Sequence, residues 1–201
     1  MNFQPRKPSP TTVANWLTHV QNLSFTYPEV GRSRQIVQPT LPMQGYQQFH
    51  LRVPIGQGAA LYEQAREAFI AWRMFDLHWV HLCLPPDPWQ EGSSLIVLGR
   101  SLGLWWPNAS RIIYTLNEQT PHLRRLGFAY GTLTGNMARG EERFLLEWDP
   151  EKETTYYDFY SFSCPNGLLS HLGAFHLRQL QERFMRESAQ SLIRGIGGTT
   201  T

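Results

Sequence analysis

Residues 127–148 read GFAYGTLTGNMARGEERFLLEW. Apolar side chains recur here with a period of two on either side of a Gly-punctuated turn. Before the turn Phe128, Tyr130 and Thr132 share one face of a strand, and Ala129, Gly131 and Leu133 share the other. After it Phe144, Leu146 and Trp148 point one way, Arg143 and Glu147 the other. Two adjacent antiparallel strands are expected, and the second begins with paired carboxylates, Glu141 and Glu142.

Moving toward the C-terminus, Asp149-Pro150 and the charged EKE make a turn, and residues 156–163 read as the last strand. Pro165-Asn166-Gly167 closes the sheet. A long helix is expected over 168–194, with Leu177, Leu180, Phe184 and Leu192 on one face. Gly195, Gly197 and Gly198 stop it, and the GGTTT end reads as a disordered tail.

Toward the N-terminus, short β-rich runs occupy 95–99, 102–106 and 111–116, divided by Gly103 and by Pro107-Asn108. The prolines at 85, 86 and 88 end a helix expected over 59–82, whose stripe is Leu61, Ala65, Ala68, Trp72, Phe75 and Trp79. Ahead of Gly56 and Gly58, residues 46–53 alternate as a half-buried strand with Phe49, Leu51 and Val53 inward. A Pro- and Gly-rich connector spans 27–42. Before it, Ser9-Pro10 caps a short helix over 11–23, with Val13, Trp16, Leu17 and Val20 on one stripe. Residues 1–10 read as a flexible arm. The expected division is 1–42 as arm, helix and connector, 43–196 as one domain, and 197–201 as tail.

A twisted antiparallel sheet with one apolar face must cover it, and the long amphipathic terminal helix is a direct way to do so. The expected class is therefore α+β: a curved antiparallel sheet wrapped around a long C-terminal helix, with an N-terminal helical extension. This element order resembles the helix-grip fold of the Bet v 1-like, START-related superfamily, a resemblance that implies a cavity for apolar ligands between sheet and helix. At the level of motifs, Gly45-Tyr46, the Gly56-Gln57-Gly58 turn, Arg111 within ASRIIYTLNE, GFAYGTL and the run Arg139–Phe144 resemble family nineteen-ninety of the domains of unknown function. Tyr27 and Gly31 within YPEVGRS resemble that family's N-terminal motif. The family implies no activity to carry over. Where it would place His, Glu and Cys, this chain has Asn136, Ala138 and Ser110, so a mechanism built on those groups is not supported here.

Composition narrows the classes further. The chain has 201 residues, 41% hydrophobic and 13% aromatic, enough for a sizeable core. Lys and Arg number 18 against 16 Asp and Glu, and they are scattered rather than gathered into a stripe, which argues against nucleic acid. Cys83 and Cys164 lack metal-ligand spacing, and His78 and His81, three apart on the expected helix, find no third ligand by spacing. No metal and no cofactor is expected. The opening residues lack a signal-like apolar core and no window approaches a spanning segment, so a soluble cytoplasmic protein without integral membrane association is the reading.

For chemistry, strand parity puts Glu142 on the apolar side and Glu141 on the solvent side. A carboxylate on the inner face needs a partner or acquires a raised pKa. Pairing of Glu142 with Arg111, Arg139 or Arg143 is favoured over catalysis. Gly131 reads as the bend that curls the sheet. The leading expectation is a non-enzymatic protein holding a small hydrophobic or amphipathic ligand between sheet and helix, with Tyr46, Arg111, Tyr130 and Glu142 as polar anchors. Acid/base chemistry by Glu142, or a partner-binding protein with a filled core, are the alternatives.

Overall fold

A computed structural model describes residues 3–35, 43–167 and 173–197. The expected tail beyond Gly197, part of the connector, the start of the expected terminal helix, and His171 lie outside these residues. Seven antiparallel strands form one sheet in the order β1-β7-β6-β5-β4-β3-β2. Strands β2 (Val80–Cys83), β3 (Ser94–Ser101), β4 (Leu104–Thr120), β5 (Leu123–Thr132), β6 (Ala138–Asp149) and β7 (Thr154–Pro165) form a meander, and β1 (Gln47–Gln57) joins its far edge beside β7. Helix α1 (Pro10–Val20) precedes the sheet, α2 (Ala59–Ile70) follows β1, and α3 (Ala174–Ile196) ends the described chain. The arrangement is a helix-grip: α3 lies against the concave face of the sheet.

That inner face carries the main core, and the period-two residues supply it. Phe128 and Tyr130 of β5, Phe144 and Leu146 of β6 and Phe159 of β7 meet Phe184 and Leu192 of α3. Phe128 and Phe144 stack with centroids 4.9 Å apart and rings inclined by 14°. Aromatic pairs of this kind add about 0.5–1.5 kcal/mol beyond the area they bury.

Several expected elements are corrected. The helix over 59–82 stops at Ile70, and Trp72 takes a left-handed conformation with φ of 59°. A 3-10 turn, Arg73–Phe75, and then β2 follow. Trp72, Phe75 and Trp79 are all buried in the core, so their spacing copies a helical stripe although the backbone is not helical. His81 therefore stands on β2 and His78 ahead of it, and neither is on a helix. From Leu104 onward the run at 102–106 is continuous with that at 111–116 in one 17-residue strand that passes through Pro107. Pairing with β5 begins only at Ser110, so at Pro107 the strand has β3 alone for a neighbour and its missing N–H costs nothing. Leu102 and Gly103, with φ of 51° and 77°, make the tight turn between β3 and β4. Similarly, β1 continues through Gly56, and α3 through Gly195.

The outer face is covered as well. Helix α1, capped by Ser9 Oγ accepting from the Thr12 N–H at 3.2 Å, lays Val13, Trp16 and Leu17 on Cys83, Ile96 and Leu98. Phe25 and Tyr27 pack on Tyr160 and Phe162. Gln4, within the arm expected to be flexible, pairs antiparallel with Trp105. Because both faces are buried, β6 and β7 read as nearly continuous buried runs instead of alternating ones.

Gly131 has a different use from the expected bend. A Cβ there would stand 2.1 Å from Tyr27 Oη, so the missing side chain admits the tyrosine to the outer face. Gly131→Ala is expected to displace Tyr27 and lower stability by about 1–3 kcal/mol, through overpacking and a lost buried hydrogen bond. Urea unfolding of the variant checks this; an unchanged midpoint would refute that role.

Candidate functional site

Glu141 and Glu142 leave β6 on opposite faces, as parity requires. Their surroundings are the reverse of an exposed and a paired residue. Glu141, expected in solvent, is 1% exposed, because residues 25–35 form a strap over it. Its Oε2 accepts from Tyr27 Oη at 3.0 Å and from the Gly31 N–H at 2.8 Å, and its Oε1 from the Ser33 N–H at 3.0 Å. Burial raises its pKa, and the donors from Ser33, Gly31 and Tyr27 offset part of that rise. The strap is held a second time by Arg143, which donates to the Ser33 carbonyl at 3.0 Å and to Asp158 at 2.8 Å. Burial works to raise the Asp158 carboxyl, but the His50 hydrogen bond and Arg143 outweigh it and keep the pKa below its ordinary value.

Glu142 faces a pocket of about 120 Å³ between the sheet and α3. Its apolar wall includes Trp79, Val97, Trp106, Leu177, Leu180 and Phe184. Polar atoms come from Ser110, Thr132, Glu142 and Gln181. Tyr130 and Glu142 are direct cross-strand partners in the β5–β6 ladder, and the Tyr130 hydroxyl donates to Glu142 Oε2 at 2.5 Å. Burial pushes the Glu142 carboxyl up to about 7, against the opposing pull of the Tyr130 hydrogen bond. Burial, then the charge of Glu142, push the Tyr130 hydroxyl well above its ordinary value. The carboxyl still has surface open to the pocket. Such a group can accept a hydrogen bond, pair with a cation, or exchange a proton near neutral pH.

Of the four residues read from the sequence as anchors, the structure brings two together. Tyr130 and Glu142 meet in the pocket; Tyr46 and Arg111 lie on the outer face. Tyr46 donates to Glu29 at 2.5 Å and packs edge-on against Phe162. Arg111 donates to the Val20 and Gln21 carbonyls, each at 2.9 Å, and so caps the end of α1. A register shift between Ile112 and Tyr114 settles the parity left open in the sequence: Ile112 packs inward, while Tyr114 turns outward to Ser33 Oγ at 2.6 Å. The expected arginine partners of Glu142 are thus engaged elsewhere, with Arg139 donating to Cys164 at 2.9 Å. Asn136, where the family pattern suggests His, bonds the Ala109 backbone twice, at 2.9 and 2.6 Å, in the manner of a strand neighbour. Gln181 escaped the sequence reading, although it interrupts the apolar stripe of Leu177 and Phe184, and Ser110 entered it only as the position where the family pattern has Cys. Among the described residues no three His, Cys, Asp or Glu gather as a metal site, and no helix is long and apolar enough to cross a membrane.

Residues 26–191 match the family described as Domain of unknown function (DUF1990). The chain belongs to this family. A UPF0548 protein of Dictyostelium discoideum is 28% identical over 96% of this chain and 94% of its own length. A UPF0548 protein of Deinococcus radiodurans is 31% identical over 97% of this chain and 99% of its own. Among solved structures, Ara h 8.0201 is similar with a TM-score of 0.46 at 10% identity, over 75% of this chain and 99% of that one. Norcoclaurine synthase from Thalictrum flavum is similar with a TM-score of 0.48 at 7% identity, over 78% of this chain and 89% of that one. At such scores neither likeness bears on what this DUF1990 member binds.

The raised Glu142 carboxyl has a sign that can be measured. Its folded pKa of about 7 lies above the ordinary carboxylate value of 4.5. Folding therefore favours the protonated form, and its contribution is whole below the unfolded value and lost as pH rises toward 7. Wild-type stability should fall relative to Glu142→Gln over that window, and the side-chain carboxyl carbon should titrate near neutrality by NMR. A midpoint in the ordinary carboxylate range would contradict the assignment.

Proposed function

We propose that this protein binds a small, largely apolar molecule in the pocket between the sheet and α3, with Tyr130 and Glu142 as its polar anchors. One observation carries the reading: a hollow of about 120 Å³ bordered by Trp, Phe, Leu and Val side chains is met at one side by a hydrogen-bonded Tyr–Glu pair. Apolar walls with a few convergent polar groups are the usual composition of a ligand site. Size limits the ligand. An engineered cavity of roughly 150 Å³ holds benzene, so a single ring or a short branched chain is the scale that fits. Tyr46 and Arg111 have no part in this reading, since their polar atoms serve the outer face.

The Glu142 carboxyl, poised at about 7, favours a second reading in which the same pocket performs proton transfer. Under that reading Glu142→Gln abolishes a pH-dependent turnover while leaving binding in place. Unchanged turnover would remove it.

Leu180 borders the pocket from α3, and Leu180→Trp should fill it at a stability cost of about 1–3 kcal/mol. Native mass spectrometry of wild type purified from its own cells, followed by denaturing extraction, is expected to find a stoichiometric small molecule that the Trp variant lacks. Toluene should likewise shift the Val97 and Leu180 methyl resonances of wild type. Equal retention of ligand by Leu180→Trp would place binding elsewhere.

A further inference from the structure

We infer that the molecule held beside Glu142 is an ammonium ion: a primary amine carried on a single ring or a short branched hydrocarbon. This rests on the pocket-binding reading and adds the charge of the ligand to it.

The inference comes from the inventory of hydrogen-bonding atoms on the pocket wall. Tyr130 spends its hydroxyl proton on Glu142 Oε2. Gln181 donates from Nε2 to Ser163 Oγ at 2.7 Å, and Asn108 from Nδ2 to the Val97 carbonyl at 3.3 Å. Each of these amide nitrogens spends one of its two N–H donors on protein, so neutral donors as well as acceptors remain on the wall, and Glu142 Oε1 is the acceptor there that can carry charge. Among the described residues no hydrogen bond reaches Glu142 Oε1. A ligand matched to Glu142 Oε1 brings a donor to it, and an ammonium group has three donors and a full positive charge.

Charge points the same way. Among the described residues Tyr130 is the side chain that acts on the Glu142 carboxyl, and it is neutral; from β7, Tyr157 feels the charge of Glu142 and bonds Ser188 of α3 at 3.0 Å. On α3 the charged neighbours Arg183 and Glu187 pair with each other at 2.7 Å, and Glu187 also accepts from Trp79 Nε1 at 2.6 Å. Arg111, Arg139 and Arg143 have their partners on the outer face. Among the described residues the Glu142 carboxyl thus meets no countercharge, and a cation would restore the ionised form that burial disfavours. The rings of Trp106 and Phe184 border the same space, and aromatic faces attract cations; Trp79 already carries the Arg183 guanidinium 4.7 Å from its ring centroid.

Two pairs of equal size supply the test: benzylamine with benzyl alcohol, and isobutylamine with isobutanol. Titrations at pH 8 followed by NMR should show the ammonium member binding at least about tenfold tighter, equivalent to roughly 1.4 kcal/mol. That preference should disappear in Glu142→Gln while the alcohol still binds. In wild type it should also fade between pH 8 and pH 5 as Glu142 takes up a proton. Alcohol binding that equals or exceeds amine binding in wild type would overturn the inference and leave the pocket reading standing. Amine preference that survives Glu142→Gln would overturn it as well. Failure of all four probes to bind would bring down both.

Discussion

Successive residues of a strand face opposite ways, and at Glu141-Glu142 that constraint divides the molecule in two. One carboxylate is driven outward and one inward, and the sheet is covered on both sides, so Glu141 is cut off from water and Glu142 opens only to the pocket. A buried ionised carboxylate is costly unless donors surround it. On the outer side the strap meets that need with two backbone N–H groups and a tyrosine hydroxyl. Charge-assisted bonds of this type are about twice as strong as neutral ones. The strap's course is thereby dictated by one glutamate, and Gly131 exists as the gap through which Tyr27 reaches it.

On the inner side the need is left unmet. Among the described residues Glu142 has one neutral hydrogen-bond partner, and burial raises its proton affinity. Filling that position with an apolar residue would remove the desolvation cost, so the carboxyl is a local conflict within an otherwise consistent core. Conflicts of this kind are expected at sites of function. The aromatic walls, the limited volume and the carboxyl at one side together describe what would relieve it.

The sheet and its grip on the terminal helix were legible because period-two runs such as Phe144, Leu146 and Trp148 admit few other structures. The Tyr130–Glu142 partnership follows from that same parity once the two strands are paired in register. Other features were hidden for physical reasons. Trp72, Phe75 and Trp79 keep a helical spacing because they fill one core, although the chain between them turns left-handed and then extends. Pro107 reads as a break, yet sits where β4 lacks a second neighbour. Arg111 is drawn away from Glu142 by a helix end more than eighty residues earlier in the chain, a contact that no local pattern encodes. The strap over Glu141 is invisible for the same reason, since a Pro- and Gly-rich connector does not announce which face it will cover.

The account stands on the separation of the two glutamates, one clamping the fold and the other serving the pocket. Amide hydrogen exchange at Gly31 and Ser33, compared between Glu141→Gln and Glu142→Gln, tests that most directly. Protection of both amides should collapse in the Glu141 variant and persist in the Glu142 variant. Equal loss in the two variants, or loss in neither, would contradict it.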